Sequence, residues 1–136
     1  MAASNAAYAA LGLTDWHYEA IDCVEDGLAA LLADRTDWAG FSCTMPLKHA
    51  VLDLAVEVRP LARAAGSANT LIPGADGWVA DNTDVAGIVA ALAEYAVLPR
   101  TVTVLGAGGT AQSVLAALLA LGVEACTVLV LSLIHI

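Results

Sequence analysis

The sequence predicts an α/β protein in which an N-terminal α/β unit is followed by the start of a second unit. Three observations predict this class. Short apolar runs alternate with longer runs of helical spacing, which favours strands connected by helices in a largely parallel sheet. The segment Pro73-Gly74-Ala75-Asp76-Gly77 is typical of a tight turn between two strands. The turn Gly106-Ala107-Gly108-Gly109 separates an apolar run from a helical run, which indicates a strand–turn–helix unit.

The elements of the first half follow from local signals. An Ala-rich helix is expected to end at Gly12, and the acids Glu25 and Asp26 complement the dipole at the start of a second helix. Pro46 is expected at the first position of a third helix, where its missing N–H costs nothing. The predicted elements are, in order, helix 4–11, strand 16–21, helix 25–33, buried strand 38–43 and helix 46–55.

The second half begins with an ambiguous segment, 59–66, which is expected to form a short helix. The proline–glycine turn joins two strands into a hairpin, and an amphipathic helix follows it. Pro99 marks a boundary before the strand that enters the glycine turn. The predicted elements are strands 70–72 and 78–80, helix 83–95, strand 101–105, helix 110–121 and strand 125–130.

Composition excludes several classes of function. The chain has 136 residues, of which 60% are hydrophobic, and its formal net charge of -9 argues against nucleic acid and anionic membranes as partners. Cys23, Cys43 and Cys126 are odd in number and widely spaced, which is typical of a reduced cytoplasmic protein. The N-terminal residues lack the pattern of a signal peptide. We expect no membrane span, although 114–136 is almost uncharged, because Gly122-Val123-Glu124 divides it.

Three polar clusters carry candidate chemistry. Lys48 is the only lysine, and it follows Thr44 at a short interval; Asn69 and Asp84 belong to two later clusters. A lysine ammonium can donate a proton to a ketone oxygen while a carboxylate orients it, and threonine and asparagine can bind the hydroxyls of a polyol ring. Each residue also has an ordinary structural interpretation. Lys48 would be a solvated lysine and Asp84 an acid that stabilises a helix N-terminus, while Asn69 would be a turn residue and Thr44 a helix cap.

The glycine turn is expected to bind a phosphate. Gly106 permits a tight turn, Gly108 lets the backbone approach a pyrophosphate, and the N–H groups of the following helix hold the anion. Ala111 stands where a third glycine usually falls. A plain strand-to-helix turn is the alternative. The predicted cofactor-binding residues are Gly106, Ala107, Gly108, Gly109, Thr110 and Ala111.

Together the motifs resemble shikimate dehydrogenase. The blocks that carry the resemblance are Gly40-Phe41-Ser42-Cys43-Thr44-Met45-Pro46-Leu47-Lys48, Gly66-Ser67-Ala68-Asn69-Thr70-Leu71, Asp81-Asn82-Thr83-Asp84-Val85-Ala86-Gly87 and the glycine turn, in the family's order. The resemblance implies a substrate-binding α/β domain followed by a Rossmann domain. It implies Lys48 and Asp84 as the catalytic pair, with Thr44, Lys48, Asn69 and Asp84 binding substrate. The implied reaction is the NADP-linked interconversion of 3-dehydroshikimate and shikimate.

Compared with that family, the chain is expected to be an internal fragment with little activity and poor stability. We expect a shikimate-binding domain at 1–82, a linking helix at 83–98 and a truncated NADP-binding unit at 99–130. Residues 131–136 match the peptide that a sequencing-library adapter encodes in frame, and are expected to be a non-native tail. An NAD-dependent quinate/shikimate dehydrogenase and a non-catalytic binding relative stay open as alternatives, as does the choice between monomer and homodimer.

Other reactive side chains are given structural interpretations. Cys43 is expected to be a small core residue rather than a nucleophile. His17 and His49 have no carboxylate or cysteine at ligand spacing, so both are expected at or near the surface and no metal site is predicted. Trp16, Trp38 and Trp78 are expected to pack in the core or at a sheet edge.

Overall fold

A computed structural model describes residues 2–96 and 98–130 of the chain. Helices and strands alternate along most of its length, as the sequence predicts. The helices are α1 (Ala2–Ala10), α2 (Glu25–Asp34), α3 (Leu47–Leu54), α4 (Pro60–Ala65), α5 (Thr83–Glu94) and α6 (Gly109–Ala120). The strands are β1 (Phe41–Ser42), β2 (Glu57–Val58), β3 (Thr70–Pro73), β4 (Trp78–Asp81), β5 (Thr101–Leu105) and β6 (Ala125–Leu129).

The first sheet has four strands in the order β1-β3-β4-β2. The predicted hairpin is present: β3 and β4 pair antiparallel with Leu71 opposite Ala80, and the Gly74 N–H donates to the Gly77 carbonyl at 2.7 Å. β1 is also antiparallel to β3, and only β2 runs parallel to its neighbour β4. The expectation of a largely parallel sheet is therefore wrong here, because the tight turn at 73–77 returns the chain directly beside β3.

A second sheet is formed by β5 and β6, which pair in parallel from Thr101 opposite Ala125 to Leu105 opposite Leu129. α6 connects the two strands, as a crossover between parallel neighbours requires. Val104 contacts α6 through a small buried cluster that includes Ala111 and Leu118. This βαβ unit confirms the predicted strand–turn–helix arrangement.

The main core lies under the first sheet. Leu71 and Ala80 of the hairpin and Val51 of α3 are fully buried, and α2 contributes Leu28 and Leu32. Trp78 is buried as well, and its indole N–H donates to the Leu32 carbonyl at 3.2 Å. Its apolar ring therefore packs in the core without leaving a polar group unsatisfied.

Small residues bring the two units together. Ala65 of α4, Val85 of α5 and Ala117 of α6 form a buried cluster. Short side chains let helices approach closely, so the start of α5 and the start of α6 lie near the loop that follows α4. This packing brings polar residues from three parts of the chain to one place.

Two strand predictions are corrected by the structure. Residues 16–21 do not form a strand, because Asn5 of α1 takes the backbone hydrogen bonds of Tyr18: its side chain accepts from the Tyr18 N–H at 2.7 Å and donates to the Tyr18 carbonyl at 2.9 Å. The predicted strand 38–43 is reduced to β1, since the Trp38 N–H turns back to the Arg35 carbonyl. β2 was not predicted, because two residues give no usable alternation.

Smaller differences concern the ends of elements. The helix expected from Pro46 begins at Leu47, with Pro46 as its N-cap residue, and the expected linking helix 83–98 ends at Glu94. Across 2–96 and 98–130, no helix has both the length and the apolar character needed to cross a bilayer. The domain boundaries at 82 and 98 stay predictions, and the tail at 131–136 lies outside the described residues.

Candidate functional site

Lys48 lies in the first turn of α3, and backbone hydrogen bonds fix that turn. The Leu47 N–H donates to the Thr44 carbonyl at 2.8 Å, and the Cys43 N–H donates to the Asn69 carbonyl at 2.7 Å. The Lys48 carbonyl accepts from the Ala68 N–H at 2.8 Å. Only 14% of the Lys48 side chain is exposed. The single lysine is therefore held against the loop at 67–69 rather than extended into solvent.

Asp84 lies in the first turn of α5 and meets Lys48 across the fold. Lys48 Nζ is 2.7 Å from Asp84 Oδ2, although the two residues are 36 positions apart in the chain. Asn69 Nδ2 donates to the other carboxylate oxygen, also at 2.7 Å. Both oxygens of Asp84 thus receive a strong donor, and an ion pair so oriented fixes the position of the ammonium.

Asn69 is saturated with hydrogen bonds, which fixes the orientation of its amide. Its Oδ1 accepts from the Thr83 N–H at 3.0 Å and from the Thr70 hydroxyl at 2.9 Å. Its Nδ2 contacts the Thr83 hydroxyl at 2.9 Å as well as Asp84. A flipped amide would place its NH₂ against the Thr83 N–H and its oxygen against the carboxylate, so one orientation is favoured.

Thr44 lies in the loop just before α3, and its side chain is exposed beside the start of the helix that carries Lys48. The Thr44 backbone carbonyl accepts a hydrogen bond from the Leu47 N–H. The structure therefore brings Lys48 and Asn69 into direct contact with Asp84, whereas the Thr44 side chain makes no hydrogen bond to these residues within the described part of the chain.

The glycine turn approaches the same cluster. Gly106 has φ of +102°, a conformation open to glycine, and its N–H donates to the Leu129 carbonyl at 2.8 Å. A Cβ added to Gly109 would lie 3.1 Å from the Cδ atom of Lys48, and Thr110 Oγ1 is 3.4 Å from Lys48 Nζ. The first residues of α6 therefore contact the lysine side chain.

The turn also has the features of an anion cradle. Gly108 is the N-cap of α6 and has no side-chain cap, and a Cβ added there would meet no heavy atom of the described residues within 4 Å. The first N–H groups of this 12-residue helix therefore receive no side-chain cap from the N-cap residue, and the helix starts beside the Lys48 side chain. Ala107 is half-buried and Ala111 is buried against Val104.

A cavity with a volume of about 660 Å³ lies beside this cluster rather than in it. It is bounded by the segments 15–23 and 37–43, together with Leu47 and Thr70. Lys48, Asn69 and Asp84 do not line it. The charged cluster is the candidate site, because none of the described residues on the cavity wall has a charged side chain that is held by several hydrogen bonds.

The other reactive side chains take structural positions. Burial, with a smaller contribution from the neighbouring Cys23 thiol, raises the pKa of Cys43 from 9.0 to about 11, so Cys43 is an unreactive core residue. His17 is exposed, and so is His49, whose Nδ1 lies 3.0 Å from the Gly66 carbonyl. Within the described ranges, no three His, Cys, Asp or Glu side chains form a group able to hold a metal ion.

Sequence reasoning missed a second set of polar residues behind the cluster. Ser67, Asn82 and Ser113 are buried, and the Asn82 amide donates to the hydroxyls of both serines. Ser67 and Asn82 stood in the quoted motifs without a role, and Ser113 was not singled out. The available signal was a serine on a helix whose following residues are all apolar, a position where a hydroxyl is expected to have a hydrogen-bond partner.

The fold and the site define a class: an α/β protein in which a lysine–carboxylate pair, carried by two helices beside a mixed sheet, faces the glycine turn of a βαβ unit. The chain belongs to the shikimate dehydrogenase substrate-binding-domain family, whose sequence model matches residues 2–71. Two predictions from the sequence, the family and the fold class, are thus confirmed.

Solved structures agree with this assignment. Shikimate dehydrogenase from Mycobacterium tuberculosis is 42% identical with a TM-score of 0.81, over 94% of this chain and 48% of that one. The Thermus thermophilus shikimate 5-dehydrogenase in complex with NADP(H) and shikimate is 32% identical with a TM-score of 0.80, over 92% and 48%. Shikimate dehydrogenase (NADP(+)) of Xanthomonas euvesicatoria is 41% identical over 116 residues, which are 82% of this chain and 41% of its relative. The chain thus spans less than half the length of these relatives.

Proposed function

We propose that the protein is an NADP-dependent oxidoreductase that interconverts 3-dehydroshikimate and shikimate in the biosynthesis of aromatic amino acids. One observation carries the proposal: the 2.7 Å contact between Lys48 and Asp84, at the point where the glycine turn contacts the lysine. The complex of the Thermus thermophilus relative with NADP(H) and shikimate supports the choice of substrate and cofactor.

In this proposal Lys48 provides the proton of the reaction. Reduction of a ketone adds a hydride to the carbon and a proton to the oxygen, and the Lys48 ammonium donates that proton and stabilises the negative charge that develops. In the oxidative direction, neutral Lys48 takes the proton back from the alcohol. Asp84 keeps the ammonium in position and retains lone pairs that can accept a hydrogen bond from a ring hydroxyl.

Thr44 and Asn69 are proposed to bind the substrate hydroxyls. Thr44 is exposed in the loop just before the helix that carries Lys48, and its hydroxyl can donate and accept. Asn69 is already fully bonded, so a substrate hydroxyl would take the place of the Thr83 hydroxyl on its Nδ2. Asn69 therefore has a second proposed task, which is to hold Asp84 through the 2.7 Å hydrogen bond.

The residues of the glycine turn fit a dinucleotide phosphate. The uncapped start of α6 and the open space at Gly108 match the needs of a pyrophosphate, so we propose that Gly106, Ala107, Gly108, Gly109, Thr110 and Ala111 hold it. NADPH, when bound there, supplies the hydride. The chain's own contribution is to orient the cofactor toward the lysine side chain.

The first test is the oxidation of NADPH by the full-length protein with 3-dehydroshikimate, followed by absorbance. We expect Lys48→Ala to lower kcat by about 10²–10⁴-fold, because it removes the proton donor, and to change KM less. Asp53→Ala is the matched control, since Asp53 is an exposed charged residue on the same helix. Near-normal turnover of Lys48→Ala would refute the role of the lysine.

Two alternatives are separated by the same assay. The Listeria monocytogenes relative, 25% identical with a TM-score of 0.82, was solved with shikimate and NAD. NADH is therefore compared with NADPH in the reduction of 3-dehydroshikimate, and quinate with shikimate in the reverse oxidation, in which NAD⁺ or NADP⁺ accepts the hydride. A non-catalytic relative would bind the substrate without oxidising either cofactor. For the rest, we propose a cytoplasmic protein with a substrate-binding domain at 1–82, a linking helix at 83–98 and a cofactor-binding unit from 99 onward.

A further inference from the structure

Behind the Lys48–Asp84 pair lies a buried group of three side chains, Ser67, Asn82 and Ser113, which we call the amide–hydroxyl network. Each has at most 1% of its surface exposed. Ser67 lies in the loop after α4, Asn82 directly precedes α5, and Ser113 lies in the second turn of α6. A buried polar group is costly unless it is satisfied, so hydrogen bonds of this network constrain the three elements relative to one another.

Asn82 is the centre of the network. Its Oδ1 accepts from the Val85 N–H at 3.1 Å and so caps α5, the helix that carries Asp84. Its Nδ2 donates to the Ser67 carbonyl at 2.8 Å and to the Ser113 hydroxyl at 2.9 Å. The two N–H donors and the oxygen are all used, and a flipped amide would lose every one of these bonds.

Ser113 passes the constraint to the glycine turn. Its hydroxyl accepts from Asn82 and donates to the Gly109 carbonyl at 3.2 Å, and the Ser67 hydroxyl approaches the same carbonyl at 3.4 Å. Gly109 is the residue against which the Lys48 side chain packs, and the Lys48 carbonyl is bound to the loop at Ala68. One network therefore fixes the start of α5, the start of α6 and the backbone beside Lys48.

We propose that Asn82 and Ser113 are positioning residues for hydride transfer: they fix the distance between the Lys48–Asp84 pair and the glycine turn, and touch neither substrate nor cofactor. This inference rests on the proposed function. Its consequence is specific, because a misplaced cofactor slows the chemical step while each ligand can still bind by its own contacts. A network that served stability alone would not act on kcat selectively.

The test uses Ser113→Ala in the full-length protein. Alanine favours the helix, and the Ser67 hydroxyl, 3.4 Å from Asn82 Nδ2, remains as an acceptor for the N–H that Ser113 releases, so we expect the unfolding temperature to fall only slightly. We expect kcat for 3-dehydroshikimate reduction to fall about tenfold, with the KM values for substrate and NADPH changed less than about twofold. Thr127→Ala is the control, since Thr127 is an exposed hydroxyl residue on β6, and it is expected to behave like the parent.

Asn82→Asp provides a second variant. The carboxylate can still accept from the Val85 N–H and cap α5, but it cannot donate to Ser113. We expect its loss of kcat to be at least as large as that of Ser113→Ala, and the double variant to lose little more, because the two residues act as one unit. An unchanged kcat in Ser113→Ala would overturn the proposal, as would a joint fall in kcat and unfolding temperature with raised KM values.

A measurement without turnover separates this inference from the proposed function. In ¹⁵N-labelled protein the side-chain amide protons of Asn82 should exchange slowly with solvent, and Ser113→Ala should speed the exchange and shift the backbone amide signals of Gly109 and Thr110. If the parent protein fails to reduce 3-dehydroshikimate, the proposed function fails. Unchanged signals at those positions in Ser113→Ala would then overturn the network by themselves.

Discussion

The two sheets of this protein are both built from largely apolar strands, yet they differ in burial. In the first sheet Leu71 and Ala80 are completely buried, because α2, α3 and α4 supply Leu28, Val51 and Ala62 to the same core. In the second sheet all five residues of β6 are exposed and Leu105 is 81% exposed. The comparison teaches that an apolar strand sequence specifies a strand, whereas the layers packed on it decide how much of it is buried.

The site lies where these two unequal regions meet. Lys48 and Asn69 belong to the well-packed region, and the glycine turn to the sparsely covered one. Asp84 opens the helix between them, and α5 and α6 pack against each other through small residues. A precise polar geometry is therefore held by a rigid neighbour on one side and by buried hydrogen bonds on the other.

The largest expected difference between the regions is the reactivity of their cysteines. Iodoacetamide at pH 8 should modify Cys126 of β6 at least about a hundredfold faster than Cys43, because the thiolate is the reactive species and the pKa of Cys43 is raised to about 11. Mass spectrometry of timed samples measures both rates, and unfolding in guanidinium chloride should remove the difference. Equal rates in the folded protein would contradict the buried position of Cys43.

The same thiol makes the stability of the first region depend on pH. The folded pKa of Cys43, about 11, exceeds its ordinary value of 9.0, so the folded protein binds this proton more tightly than the unfolded chain does. The contribution is present in full below about pH 9 and is lost as the pH rises toward 11. The free energy of unfolding of Cys43→Ala should fall less steeply over this pH interval than that of the parent protein. If the two proteins give parallel curves of free energy against pH, the thiol is not the cause.

Matched leucine truncations compare the two sheets directly. Leu71→Ala should lower the free energy of unfolding by about 3 kcal/mol, since it leaves a cavity in the main core. Leu129→Ala, in a strand position that is 53% exposed, should cost less than about 1 kcal/mol because less apolar surface is lost from the interior. Urea unfolding curves of both variants, each extrapolated linearly to zero urea, give the two free energies of unfolding. A larger loss for Leu129 than for Leu71 would contradict the comparison.

The smallest expected effect comes from surface ion pairs. The Arg100–Glu124 pair, at 3.0 Å, connects the starts of β5 and β6, but its side chains are 82% and 60% exposed. Arg100→Ala should change the free energy of unfolding by about 0.5 kcal/mol or less. The Arg59–Asp81 pair, at 2.9 Å, has a better-buried acid, and Arg59→Ala should cost slightly more. A fall of several kcal/mol for Arg100→Ala would show that this pair is not a simple exposed contact.

Several elements follow from the sequence because their signals are local. The hairpin was predicted from Pro73 and Gly77, and the strand–turn–helix unit from the glycines that allow its turn. The strand expected at 16–21 was wrong for a reason that is not local: Asn5, thirteen residues before Tyr18, occupies the hydrogen bonds that a neighbouring strand would need. Strand pairing in general depends on partners that are distant in the chain.

What the sequence determined by itself was the set of reactive groups and the local shape on which each stands: a lysine at the start of one helix, an aspartate at the start of another, and a glycine turn before a third. Only the tertiary structure decided that the first two meet at 2.7 Å, that Asn69 holds the aspartate, and that Ser113 is bonded to Asn82. The physical reason is that backbone conformation is set by neighbouring residues, whereas distances between side chains 31 and 36 positions apart are set by how helices pack.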